Sequence, residues 1–93
     1  MLKIEFTAQF KKDYKLAKRR GFKLEKLTNV LNLLANQEIL PPEYRDHALV
    51  DSKDYQGVRE CHIENDWLLV YKVYDEVLVL KLIRTGTHSD LFV

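Results

Sequence analysis

Apolar and polar residues alternate from the start of the chain, with Leu2, Ile4 and Phe6 set against Lys3, Glu5 and Thr7. A period of two belongs to a strand with one buried face, which predicts a strand over about residues 2–7. The period then lengthens. Phe10, Tyr14 and Ala17 recur at helical spacing with lysines between them, predicting an amphipathic helix over about residues 8–20, capped by Thr7 and ended by Gly21. A second helix is predicted over about residues 24–37, where Leu24, Leu27, Leu31 and Leu34, with Val30 and Leu33 alongside, form a wide apolar stripe. Two helices joined by a short turn make a hairpin, and its apolar side needs a sheet.

Pro41-Pro42 ends the helical pattern, because proline removes a backbone donor and pushes the preceding residue out of helical conformation. Residues 41–57 form a long polar connection containing Asp46-His47, with room for a short extended piece around Ala48 to Val50. Val58 to Glu64 alternates again. Arg59, Cys61 and Ile63 fall on one face, and Glu60, His62 and Glu64 on the other, which is expected to leave His62 exposed. Trp67 to Tyr74 and Val77 to Thr85 are apolar on both faces, so they are expected at the sheet centre, joined by a tight turn at Asp75-Glu76. The expected fold is one α+β domain spanning residues 1–93, with a helical hairpin on one face of a mainly antiparallel sheet and a C-terminal three-stranded meander.

Length and composition narrow the class. Ninety-three residues allow one core, and 46% hydrophobic with 31% charged residues is the balance of a folded globular domain. No apolar run approaches the roughly 20 residues of a membrane span, and the alternating start does not resemble a signal peptide. The single Cys61 cannot form an internal disulfide, so a reducing cytoplasmic setting is expected. Net charge is +1, yet residues 11–26 hold eight basic residues (Lys11, Lys12, Lys15, Lys18, Arg19, Arg20, Lys23, Lys26) against Asp13 and Glu25, a local charge of +6. Such a segment can neutralise several phosphates, meet an acidic protein, or simply be a solvated helix face.

All three histidines, His47, His62 and His88, lie in the second half beside charged or hydroxyl residues. Imidazole exchanges a proton near neutral pH, so convergent histidines with an arginine suggest acid–base work on an anion. Arg84 follows Leu78, Leu80 and Leu82 in alternation, at the end of a row expected to be buried. There it either binds a phosphate through two parallel hydrogen bonds or pairs with an acid such as Asp66. Asp66 also reads as a turn former, and Trp67 either as a core aromatic or as a surface for an unstacked base. Metal binding is disfavoured, since no compact ligand pair such as Cys-x-x-Cys is present and Cys61 and His62 point to opposite strand faces.

Four segments in order resemble the YafQ branch of the RelE-like toxins, within the RelE/ParE superfamily of bacterial type II toxin–antitoxin systems. They are Tyr44-Arg45-Asp46-His47-Ala48-Leu49, Arg59 to Trp67 with His62 and Asp66-Trp67, Leu69-Val70-Tyr71-Lys72, and Arg84-Thr85-Gly86-Thr87-His88 followed by Leu91-Phe92. The resemblance implies a ribosome-dependent endoribonuclease, an mRNA interferase that needs no metal and uses the ribose 2′-hydroxyl as nucleophile. Carried over by position, the family's functional residues fall on His47, His62, Asp66, Trp67, Arg84, His88 and Phe92. His88 is then the leading general acid, His47 or His62 the base or a protonated phosphate ligand, Asp66 a partner that orients a histidine, and Arg84 the ligand of the scissile phosphate. Trp67 and Phe92 would position bases or brace the site, and Lys11, Lys12, Lys15, Lys18, Arg19 and Arg20 would track ribosomal RNA.

The resemblance also implies a cognate antitoxin, in an oligomeric complex that binds DNA through the antitoxin. Asn65 departs from the family, which often has proline before the Asp-Trp pair, and the acidic run Asp51 to Asp54 is a second departure. The competing readings are a non-catalytic toxin of the ParE type, which lacks this histidine set, and a ribosome- or RNA-binding module in which the histidines are only ligands.

Overall fold

A computed structural model describes residues 1–49 and 57–92. The acidic run Asp51 to Asp54, and Val50 of the expected extended piece, lie outside the described residues. The order is β1 (Lys3–Phe6), α1 (Ala8–Arg19), α2 (Leu24–Ala35), a 3-10 turn (Pro42–Tyr44), β2 (His47–Ala48), β3 (Arg59–Glu64), β4 (Trp67–Tyr74), β5 (Val79–Gly86) and α3 (His88–Leu91). The strands form one sheet in the order β1-β5-β4-β3-β2. β5, β4, β3 and β2 run antiparallel to their neighbours, and β1 joins β5 in parallel. The two strands apolar on both faces, β4 and β5, are internal, as expected.

Both ends of α1 have a local cause. The Thr7 hydroxyl accepts the Phe10 amide at 3.0 Å and caps α1. At the other end Gly21 takes a left-handed φ of 78°, which lets its own amide reach Lys18 O at 3.1 Å and the Phe22 amide reach Ala17 O at 3.0 Å. The apolar faces of both helices meet the sheet in one core that includes Phe10, Leu27, Val30, Leu34, Leu69, Tyr71, Leu80 and Leu82. No described helix is long and apolar enough to cross a membrane.

Two boundaries differ from expectation. The β4–β5 connection is the four-residue turn Asp75 to Leu78, not a two-residue turn, so Val77 and Leu78 leave the strand and stand exposed. Leu78 has a φ of 54°, and its carbonyl accepts the Lys3 amide at 2.8 Å, so the turn also seats β1. The second difference is a bulge. Val70 opposes Arg84 while Tyr71 opposes Leu82, leaving Ile83 as an extra residue on β5.

Candidate active site

That bulge determines which face Arg84 occupies. Residues directly opposed across a sheet share a face. Leu80 and Leu82 oppose Val73 and Tyr71 on the helix-covered side. Beyond Ile83 the parity reverses, so Arg84 joins Val70, Glu60 and His47, which oppose one another across four strands. The expectation that Arg84 continues the buried leucine row is therefore corrected. His62 lies on the same face, opposite Leu68, which in turn opposes Gly86.

The three imidazoles stand in a row with His62 in the middle, its ring centroid 6.3 Å from His47 and 5.7 Å from His88. Each outer histidine is anchored through Nδ1. His47 donates to Arg45 O at 2.6 Å, and His88 donates to Asp66 Oδ1 at 2.6 Å, because a carbonyl or an ionised carboxylate can only accept. Both anchors leave Nε2 as the atom that gains or loses a proton. His62 is not exposed as its strand pattern suggests. Its side chain is only 12% exposed between two neighbouring rings, and its buried Nδ1 has no hydrogen-bond partner among the described residues.

Glu60 is the group that the sequence pattern undervalues. Its side chain is 7% exposed, with Oε1 3.5 Å from His47 Nε2 and 3.8 Å from His62 Nε2. The signal was present in the i, i+2 relation of Glu60 and His62 on one strand face. The loop carrying His47 is held by Asp46, which accepts from Arg59 Nη2 at 3.1 Å and from the Tyr71 hydroxyl. Burial, followed by that bond to Asp46, raises the Tyr71 phenol above its ordinary range.

The β5–α3 corner positions His88. Thr87 and Asp90 form a capping box: the Thr87 hydroxyl accepts the Asp90 amide at 3.2 Å, and Asp90 Oδ2 accepts the Thr87 amide at 2.9 Å. The His88 amide donates to Asp66 Oδ1 at 2.9 Å, alongside the imidazole. This backbone bond first, and the imidazole bond second, lower the Asp66 pKa. Gly86 permits the corner, since a Cβ there would lie 2.9 Å from Asp90 Oδ2. Arg20 closes the corner from α1 with bonds of 2.7 and 3.2 Å to Asp90. These bonds, followed by the Thr87 amide, lower the Asp90 pKa to about 2.

Arg84 pairs with Asp13 of α1 rather than Asp66. Its Nε and Nη2 donate to the two oxygens of Asp13 at 2.8 and 3.1 Å. A cavity of about 380 Å³ over this pair is also lined by Lys12, Arg19 and Arg20. Among the described residues, no group of three or more His, Cys, Asp or Glu is arranged to hold a metal ion.

A model of the YafQ toxins, described as bacterial toxins of type II toxin–antitoxin systems, matches residues 2–93. The chain belongs to the YafQ family. A relative from Escherichia coli strain B, named mRNA interferase toxin YafQ, is 44% identical over 96% of this chain and 94% of its own length. Its K12 counterpart, of the same name, is 43% identical over the same shares. Among solved structures, the Escherichia coli DinJ-YafQ complex matches with a TM-score of 0.89 and 42% identity over 100% of both chains. A metal-bound toxin from Helicobacter pylori matches with a TM-score of 0.91 and 41% identity over 99% of this chain and 100% of its own.

Within this YafQ-family fold the structure clusters His47, His62 and His88, puts Arg84 on the sheet face of His47 and His62, and ties Asp66 to His88. Trp67 is buried, with its ring packed inside the domain. It is 2% exposed, its Nε1 donates to Thr85 Oγ1 at 2.9 Å, and its ring meets Phe22 at 5.0 Å. Phe92 follows α3 and is 48% exposed, so its ring is open to a ligand. Of the basic hairpin, Lys11, Lys12, Lys15, Lys18 and Arg19 stand exposed, whereas Arg20 is committed to Asp90 and Lys26 to Glu64. Cys61 is fully buried, and burial raises its thiol pKa to about 12. Asp13 and Asp90 were missed by the sequence reading. Asp13 sits three residues after Phe10 and four before Ala17, on the apolar stripe of α1, and Thr87-x-x-Asp90 carries a capping-box spacing.

Proposed function

We propose that this YafQ-family toxin, an mRNA interferase and so an endoribonuclease, cuts translated mRNA in the ribosomal A site by metal-independent attack of the ribose 2′-hydroxyl on the adjacent phosphate. The observation that carries this reading is the row of three imidazoles, whose outer members are both anchored at Nδ1 with Nε2 available for proton transfer, with Arg84 on the same sheet face as His47 and His62.

In-line displacement needs a base and an acid on opposite sides of phosphorus, with positive charge between them. The outer imidazoles fit the two proton-transfer roles. His47 Nε2, beside Glu60, takes the 2′-proton, and His88 Nε2 gives a proton to the departing 5′-oxygen. His62 and Arg84 hold the phosphoryl oxygens as charge develops on them. The oxygen–phosphorus bond to the 5′ side breaks as the 2′-oxygen bond forms, leaving a 2′,3′-cyclic phosphate and a 5′-hydroxyl. Phe92, exposed beside α3, stacks on a base near the scissile step.

The exposed Lys11, Lys12, Lys15, Lys18 and Arg19 on α1 supply a phosphate-binding face for ribosomal RNA. The DinJ-YafQ toxin–antitoxin complexes support a cognate antitoxin as the protein partner. The toxin and that antitoxin assemble into an oligomer that binds DNA through the antitoxin. Action on ribosomes places the toxin in the cytoplasm.

The test is to map message ends after brief induction of wild type and His88→Ala. Wild type is expected to give in-frame, translation-dependent cuts that His88→Ala lacks while still sedimenting with ribosomes. Absence of such cuts with wild type would overturn the reading, as would equal cutting by both.

A further inference from the structure

Asp13 is an acid on the most basic element of the chain, and only 8% of it is exposed. A buried carboxylate is costly unless fully partnered. Its partners converge from two elements. Asp13 Oδ2 accepts from Arg84 Nε at 2.8 Å and from the Thr85 amide at 3.2 Å, and Oδ1 accepts from Arg84 Nη2 at 3.1 Å and Gln9 Nε2 at 3.1 Å. The first three bonds fall on the two residues immediately after the Ile83 bulge. One carboxylate therefore fixes both the guanidinium plane and the backbone that carries it.

We infer that Asp13 is a positioning residue for the cleavage reaction: it sets the orientation of Arg84 so that the guanidinium meets the phosphoryl oxygens without searching rotamers. The inference rests on the proposed cleavage of an RNA phosphodiester and deepens it by assigning the support of its cation. Arginine side chains carry large rotamer entropy, and a planar two-point clamp removes it before substrate arrives. The clamp has an opposing effect, because the carboxylate offsets part of the positive charge available to an incoming phosphate. The Arg84 side chain nevertheless keeps 34% of its exposure. Orientation and attraction thus pull in opposite directions, and the two can be separated kinetically. An Asp13→Asn change keeps the shape, loses the two-point clamp and removes one negative charge beside the guanidinium, so it should slow the chemical step without weakening binding.

The test compares single-turnover cleavage of a defined message on programmed ribosomes by wild type, Asp13→Asn, Asp13→Glu, Arg84→Ala and Asp13→Asn/Arg84→Ala. Asp13→Asn is expected to lower the saturated rate about 10–100-fold. The half-saturating concentration should stay the same or fall, and Asp13→Glu should regain part of the rate. In the Arg84→Ala background Asp13→Asn should add less than about twofold, because the two groups act as a unit. An unchanged rate in Asp13→Asn, an equal loss in both backgrounds, or a loss confined to half-saturation would each overturn the inference.

A second measurement is independent of activity and of the stability of the variants. The Arg84 Nε–H of wild type should give a slowly exchanging NMR resonance near neutral pH, and exchange as fast as that of free arginine would overturn the clamp. Failure of wild type to cut any message would overturn the cleavage reading, while the resonance would still decide the clamp.

Discussion

A single oxygen of Asp66 accepts two hydrogen bonds from His88, one from the backbone amide at 2.9 Å and one from Nδ1 at 2.6 Å. The pair fixes the start of α3, the tautomer of the imidazole and the direction of Nε2 together. Asp66→Asn keeps an acceptor for the amide but loses the charge that favours the Nδ1–H tautomer. It should lower the single-turnover cleavage rate about 10–100-fold with ribosome binding unchanged. A rate within about twofold of wild type would show that His88 needs no such partner.

Asp90 gives the protein an acid-sensitive corner. Its folded pKa of about 2 lies below the ordinary 3.8, so it favours the folded state once it is ionised. That contribution is fully present above about pH 4 and is lost as pH falls through about 2. The difference in urea midpoint between wild type and Asp90→Asn should therefore be constant from neutral pH down to about pH 5 and close below about pH 4. A gap independent of pH would contradict the Arg20–Asp90–Thr87 arrangement.

Trp67 is expected to matter for stability rather than for RNA contact. Trp67→Phe removes the donor to Thr85 Oγ1 and shrinks a ring packed on Phe22, at a cost of about 1–3 kcal/mol in chemical denaturation. Conversely, Phe92→Ala should leave stability within about 0.5 kcal/mol and weaken cleavage, since the ring is half exposed. The opposite ranking of the two variants would argue for a base-stacking role at Trp67.

The Cys61 thiol should be chemically silent in the folded protein. Full burial and a pKa of about 12 leave almost no accessible thiolate at pH 8. A thiol reagent should label it only as the protein unfolds in urea, with the labelling midpoint following the loss of circular dichroism.

Most of the fold was legible because it follows from local periodicity. The alternation in β1 and β3, the stripes of α1 and α2, Thr7 as a cap and Gly21 as a stop each act within a few residues, and the structure keeps them close to their expected positions. The failures come from relations that periodicity cannot carry. The Ile83 bulge reverses the parity of everything after it, so Arg84 lies opposite Val70 and not in line with Leu82. Its partner, Asp13, is 71 residues away in sequence, and no local rule connects the two. The burial of His62 does not follow from its strand face for a similar reason, since the rings that cover it come from the connection before β3 and the corner after β5. The histidines themselves were legible as a chemical set; their order in space, with His62 between the other two, was not.

The most direct measurement is single-turnover cleavage of a defined message on programmed ribosomes, with wild type and His88→Ala both stripped of bound metal by chelator and then returned to magnesium buffer. The expected result is that stripped wild type cuts at its full rate to give a 2′,3′-cyclic phosphate and a 5′-hydroxyl, while His88→Ala is slower by at least about 10²-fold at equal ribosome occupancy. Recovery of cutting only when a transition metal is added back, or a His88→Ala rate near that of wild type, would contradict the account.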